Sequence, residues 1–231
     1  MLTSQQICTL AMQAAKCPGF VTQAGQFLNL VLQDLVEIRD LKVNRKTAQI
    51  VVGAASNGPF ALESDYLRTY DLFFEQNNLP YSLRPVGMKE YDAEFKDPSI
   101  ADYPYEYATD LSVEAQTASG AAGYLYIYPQ SSGQITLTHR YMVQRPDITG
   151  PETSSTVPWF AHQAYLIKRT AAWLMTLTDD GRQKEFIAEC DAMLRPYLIM
   201  EGDEQQVVKQ IELDPRRFRL QRYLKPTKVT G

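Results

Sequence analysis

Histidine and cysteine are scarce in this chain, and their scarcity removes whole classes of chemistry. Two histidines, His139 and His162, and three cysteines, Cys8, Cys17 and Cys190, occur among 231 residues. The cysteines form no CxxC or CxxxxC pair, and their odd number argues against a disulfide framework; they read as reduced, small apolar residues. Neither histidine has a second His, a Cys or paired carboxylates at ligand spacing, so no metal site is expected. Phosphate-cradling motifs are missing too. Neither G-x-G-x-x-G nor G-x-x-x-x-G-K-[ST] occurs, and the cluster Ser119-Gly120-Ala121-Ala122-Gly123 lacks the lysine and the strand-turn-helix setting, so it reads as a flexible loop. No cofactor is expected. No run approaches the roughly 18 apolar residues that span a bilayer, and the first residues, MLTSQQICTLAMQAAK, have no basic n-region or long apolar block. The expectation is a soluble protein made in a cytoplasm, without a membrane partner.

What is present fits a globular chain of one large or two small domains. Apolar residues make up 45% and charged residues 22%, which argues against wholesale disorder. Tyrosine is abundant, with 14 copies, and its apolar body and polar tip suit half-exposed sheets and interfaces. The net charge of −4 conceals an asymmetry. From Asp214 to Gly231 the chain carries +5, leaving about −9 on the rest. An acidic body disfavours general nucleic-acid binding, although a basic tail can still touch phosphate.

The stretch from Gly123 to Gln144 has the clearest periodicity. Tyr124, Tyr126 and Tyr128 fall on one face and Leu125 and Ile127 on the other. Farther on, Ile135, Leu137, His139, Tyr141 and Val143 share a side opposite Thr136, Thr138, Arg140 and Met142. With Pro129, Gln130, Ser131, Ser132 and Gly133 between them, the two strands are expected to form a β-hairpin.

Helices flank this β-region. Thr3 or Ser4 caps a first helix bearing Ile7, Leu10, Ala11 and Ala14, and Thr22 to Asp40 forms a second with Phe27, Leu28, Val31, Leu32, Leu35 and Ile38 in one stripe. Ala48–Val52 reads as a strand. Leu67–Phe74 and Tyr81–Val86 read as a hairpin about Glu75-Gln76-Asn77-Asn78, and Met88–Phe95 as a helical turn or capped loop. Pro146–Pro158 is a loop, and Pro158 is placed as the first residue of a third helix running to Thr178. Asp179-Asp180-Gly181 leads into a fourth helix carrying Phe186, Ile187, Cys190, Met193, Leu194, Tyr197 and Leu198, which Pro196 is expected to kink or shorten. A short amphipathic piece, Gln205–Ile211, precedes the tail. The fold class is therefore α+β, with a β-region set between helical ends.

Catalytic readings find little support. His139 sits among Ile, Leu, Tyr and Val, the setting of a packed histidine, and Trp159 and Tyr165 near His162 also suggest packing. Pairs such as Asp92 with Glu94, or Asp179 with Asp180, are of the common solvated or capping kind. The tail, by contrast, interleaves Arg216, Arg217, Arg219 and Arg222 with Phe218, Leu220, Tyr223 and Leu224. That composition suits docking along an acidic groove of another protein. A disordered solubilising tail and a phosphate contact stay open beside it.

Several segments in order carry a family resemblance. Leu62-Glu63-Ser64-Asp65-Tyr66-Leu67-Arg68, Met88-Lys89-Glu90-Tyr91-Asp92, Tyr103-Pro104-Tyr105-Glu106-Tyr107-Ala108, then Leu125-Tyr126-Ile127-Tyr128-Pro129 with Tyr141, together resemble the head-to-tail adaptor (connector) proteins of short-tailed bacteriophages. The resemblance implies a helical bundle, made of an N-terminal and a C-terminal helix pair, with an inserted antiparallel β-domain and an extended C-terminal arm. The corresponding divisions are 1–46, 47–150, 151–213 and 214–231. It also implies a homo-oligomeric ring of about twelve copies beneath a portal protein, with a downstream nozzle or hub protein below and genomic DNA passing through without sequence-specific binding. The arm from Arg216 to Leu224 would reach the portal, and Tyr124, Tyr126 and Tyr128 would face a neighbouring subunit or tail component. The place would be the virion tail and the role structural. A small hydrolase with an unrecognised site, or a DNA-binding accessory factor using the basic tail, is the alternative.

Overall fold

The computed structural model describes residues 1–38, 40–94 and 100–201. Two helices open the chain, α1 (Ser4–Ala15) and α2 (Val21–Ile38). A 3-10 turn at Lys42–Asn44 leads into β1 (Arg45–Val52), β2 (Phe60–Ala61), β3 (Tyr66–Gln76), β4 (Leu79–Ser82) and β5 (Arg84–Pro85). After these come α3 (Met88–Glu94), β6 (Ala101–Asp102), β7 (Glu106–Asp110) and α4 (Val113–Ser119). The sequence continues through β8 (Tyr124–Tyr128), β9 (Gln130–Ser131) and β10 (Ile135–Val143) to α5 (Gln163–Leu177) and α6 (Gln183–Glu201). The Gln205–Ile211 piece and the basic arm lie outside the described residues.

The four long helices share one core. Ile7, Cys8 and Ala11 of α1, Leu28, Val31 and Leu35 of α2, Leu166 and Leu174 of α5, and Cys190 and Leu194 of α6 are all buried in it. Their three- and four-residue spacing gives each helix one apolar stripe, and burying those stripes together is what holds the body. A reciprocal capping box starts α1. Thr3 Oγ1 accepts from the Gln6 amide at 3.3 Å, and Gln6 Oε1 accepts from the Thr3 amide at 2.9 Å.

Between these helices lies a β-sandwich. One sheet has the order β1-β10-β3-β4 and the other β2-β8-β7-β5, and β6 with β9 makes a small parallel ribbon. Val52, Leu72, Phe74, Leu137 and Tyr141 of the first sheet and Leu125, Ile127 and Tyr107 of the second bury into one core. The other face of the second sheet is covered by α3, where Tyr91 packs with Ala108 and Tyr128. Helical body and inserted β-domain are therefore α+β architecture, as the sequence implies.

The strands around the first sheet are where local chemistry is most legible. β3 and β4 form the expected hairpin about Asn77 and Asn78, whose φ values of 52° and 61° are those of a two-residue primed turn. The return strand is shorter than expected. Leu83 ends the pairing with β3, and Arg84–Pro85 crosses to the second sheet and pairs in parallel with β7.

The Gly123–Gln144 hairpin is corrected. Both strands and both face alternations are present, but β8 pairs with β2 and β7 whereas β10 pairs with β1 and β3. Each strand is central in its own sheet, with both edges occupied, and the segment between them crosses from one layer to the other. Periodicity fixes which side chains point inward and says nothing about which backbone fills an edge.

Three further expectations are revised. Residues 113–119, unassigned from sequence, form α4, capped by Ser112 Oγ accepting from the Ala115 amide at 3.2 Å and closed by Gly120 at φ 64°. Gly123 itself, at φ 146°, passes so close to β7 that a Cβ there would lie 2.2 Å from the Asp110 carbonyl oxygen. α5 begins at Gln163, not Pro158, because His162 takes the cap position and its Nδ1 accepts the Tyr165 amide at 3.1 Å. Lastly, α6 runs through Pro196 to Glu201 without being shortened.

Candidate assembly surfaces

The tyrosine face of β8 splits in its surroundings. Tyr128 is buried beside Ala108 and Tyr91, with Tyr105 edge-on at 6.0 Å. Tyr126 is half-buried and lies 5.7 Å from the Tyr91 ring, and Tyr124, also half-buried, packs edge-on against Tyr126 at 6.5 Å. Burial raises the Tyr126 hydroxyl pKa above its ordinary value, aided by Asp110. What remains accessible on this face is carried by Tyr124 and Tyr126. The arm residues Arg216, Arg217, Phe218, Arg219, Leu220, Arg222, Tyr223 and Leu224 lie outside the described residues, so the two candidate surfaces are not brought together here.

The histidines are both engaged in packing. His139 is 1% exposed, inside the sandwich, with Nε2 3.0 Å from Thr69 Oγ1 and the Tyr66 and Tyr141 rings at 5.6 and 5.2 Å. Burial pushes its pKa down to about 4. His162 caps α5, and its ring meets Tyr197 edge-on. The hydroxyl against the His139 ring, Thr69 Oγ1, is shared with the Tyr66 hydroxyl at 3.1 Å. Buried Cys8 and Cys190 have thiols pushed up to about 12 and about 11, the values of unreactive core residues. Asp180 sits in the turn before α6 and bonds Arg182, outside the helix it is expected to cap. Its carboxylate accepts from the Arg182 amide at 3.0 Å, and the Arg182 guanidinium beside it lowers its pKa to about 2. Among the described residues no three His, Cys, Asp or Glu side chains cluster as metal ligands.

Sequence reasoning missed the junction between helices and sandwich. Arg68, at the start of β3, donates Nη1 to the carbonyls of Val36 and Glu37 at 3.3 and 3.0 Å, and its Nη2 reaches Asp40 Oδ1 at 2.7 Å. A side chain from the β-domain thus closes the C-terminal carbonyls of α2. Arg145 mirrors it from the far end of the insertion, bonding Asn44 Oδ1 at 3.0 Å and the Val43 carbonyl at 2.7 Å. Asp65 accepts from Lys46 and, at 3.1 Å, from the Tyr141 hydroxyl. Burial raises the Asp65 pKa, but these two donors outweigh it and hold the carboxyl below its ordinary value. The loop 146–158 then straps back over the helical body. Asn29 exchanges two bonds with the Ile148 backbone, and Ser4 and Gln5, whose amides have no intrahelical acceptor, donate to Thr156 and Ser154.

The helical body thus carries an inserted sandwich whose entry and exit are both tied down. The family described as SU10 adaptor protein matches residues 3–210, taking in the helices, the sandwich and both junctions. The chain belongs to the SU10 adaptor protein family. No curated protein matches it. As a member of the SU10 adaptor family it is a phage adaptor protein, whose family role is association with portal and tail proteins in the virion tail. That membership points to a structural task in place of a catalytic one. Among the described residues no helix is long and apolar enough to cross a membrane.

Proposed function

We propose that the protein is a head-to-tail adaptor that closes into a ring of about twelve copies beneath the portal. There it extends the DNA channel and gives the nozzle or hub of the tail its attachment platform. The observation that carries this reading is the family match across residues 3–210. Divided at 1–46, 47–150, 151–213 and 214–231, the chain has a separate job for each part. The helical body forms the ring wall, the sandwich faces a neighbour or tail component through Tyr124 and Tyr126, with Tyr128 buried behind them, and the basic-aromatic arm from Arg216 to Leu224 reaches between portal subunits.

Charge supports the division. The arm segment 214–231 carries +5 and the remainder about −9. Of the −9, the sandwich division 47–150 carries −7 and the helical divisions 1–46 and 151–213 together −2. A wall with no net positive charge offers DNA little counterion release and lets it slide past, whereas a cationic arm with aromatic anchors suits a specific protein groove.

The test is co-purification with the cognate portal ring. The full chain should be retained with it and show about twelve copies per ring by electron microscopy, whereas deletion of residues 214–231 should abolish retention. Undiminished retention of the truncated chain would remove the arm from the reading.

A further inference from the structure

We infer that the β-sandwich carries a binding cleft for a neutral carbohydrate chain, at the end of the first sheet. The cleft encloses about 510 Å³ and is bounded by the ends of β3 and β10, one residue of β1, and the segment after β6. That volume falls in the usual range of ligand sites, roughly 300 to 1,000 Å³. The inference does not depend on the ring or the arm.

The lining is unusual in chemistry. Three amides, Gln49, Gln76 and Gln134, and two hydroxyls, Thr136 and Thr138, converge there with Glu75 and the Tyr103 ring. No lysine, arginine or histidine lines it. Phosphate, sulfate and nucleic-acid ligands call for cationic partners, and this cleft has none. Side-chain amides and hydroxyls each offer both donors and acceptors, the match required by a ligand dense in hydroxyl groups. Gln49, Glu75, Gln134, Thr136 and Thr138 make no side-chain hydrogen bond to other described residues, so their capacity is available to a ligand.

An aromatic platform completes the site. Tyr103 lies flat on Phe74, with centroids 5.9 Å apart and planes within 12°, and Tyr81 lies flat against Phe74 as well at 5.5 Å and 17°. The Gln76 amide donates to the Tyr103 hydroxyl at 2.6 Å and fixes the ring in its plane. Phe74 is buried, whereas Tyr103 and Tyr81 are 45% and 46% exposed. A ring so held presents a rigid π-face, negative at its centre, to which the C–H face of a pyranose is attracted, and it loses little freedom on binding.

The test is titration of maltohexaose, cellohexaose and N-acetylchitohexaose into the full chain, followed by calorimetry and by amide shifts. At least one should bind saturably with a Kd of roughly 0.1–1 mM. Tyr103→Ala should weaken it by roughly 10-fold or more, and Gln134→Ala and Thr136→Val by roughly 3- to 10-fold each. Tyr105→Ala, exposed on the other sheet, should leave the affinity unchanged. Should Tyr103→Ala lose cooperative unfolding by removing support from Phe74, the two exposed polar variants decide the matter. Absence of saturation by all three sugars up to about 10 mM, affinity indifferent to the cleft variants, or tighter binding of a sulfated hexasaccharide than of any neutral one would overturn the assignment.

Discussion

At the scale of single residues, the telling positions are polar groups that the sandwich has taken out of water. His139 is 1% exposed, yet its Nε2 keeps one partner, the Thr69 hydroxyl, which in turn lies 3.1 Å from the Tyr66 hydroxyl. The surrounding rings leave no room for a hydrated imidazolium, and burial lowers the pKa from 6.5 to about 4. Because the folded pKa lies below the unfolded one, the unfolded chain takes up the proton first. The stabilisation tied to neutral His139 is therefore complete above pH 6.5 and is lost as pH falls from 6.5 to about 4. Its full size is on the order of 3 kcal/mol. Urea unfolding at pH 7 and pH 4.5 should show this loss in the native chain and a shallower one in His139→Gln; parallel slopes would mean that other groups dominate the acid limb. The periodicity that put His139 on an apolar strand face was sufficient to expect a packed histidine. Its partner Thr69 sits 70 residues away, and no local pattern contains that information.

At the scale of elements, what the sequence disclosed and what it withheld divide along the range of the interactions. The alternation at Tyr124–Tyr128 and Ile135–Val143 revealed two strands and their inward faces, because side-chain direction is a property of one strand. It did not reveal that β8 and β10 sit in different sheets, because pairing depends on distant backbone: β10 is bonded to β1 and β3, both more than 50 residues earlier along their whole lengths. Caps follow the same division. Thr3, one of the two caps the sequence offered for α1, acts within its own first turn, whereas the C-terminus of α2 is closed from the β-domain by Arg68. The Arg68–Asp40 pair is itself partly solvated, with side chains 34% and 52% exposed, so the ion pair contributes little. The bonds to the Val36 and Glu37 carbonyls matter more. Arg68→Ala should lower unfolding stability by about 1–2 kcal/mol, read as a fall in urea midpoint, and Arg68→Lys should recover only part, since one ammonium cannot span both carbonyls and Asp40 in a planar fork. Equal stability of native and Arg68→Ala chains would mean that water replaces the guanidinium at no cost.

At the scale of the molecule, two cores share one chain, and the connection between them is narrow. The helical core draws on both ends of the sequence and the sandwich core on the middle, with no residue common to both. β1 enters the sandwich and β10 leaves it as hydrogen-bonded neighbours, Arg45 standing opposite Met142, so the insertion begins and ends at nearly one point. Cα atoms opposite each other in an antiparallel pair are about 5 Å apart, a gap that a few glycines and serines span easily. Replacing residues 45–143 by such a linker should leave a chain with helical far-UV circular dichroism and a single cooperative transition, since α1, α2, α5 and α6 keep every buried contact of their own core. The excised 45–143 segment should fold by itself as a β-protein, its eight-residue β1 and nine-residue β10 still paired along their length. Both pieces should be less stable than the intact chain, because excision strips Arg68 of the Val36 and Glu37 carbonyls and of Asp40, and breaks the bond from the Gln144 amide to the Asp65 carbonyl. Loss of cooperative unfolding in the helical piece would show that the sandwich is a structural member of the body, and the picture of a ring wall carrying an independent β-module would have to be given up.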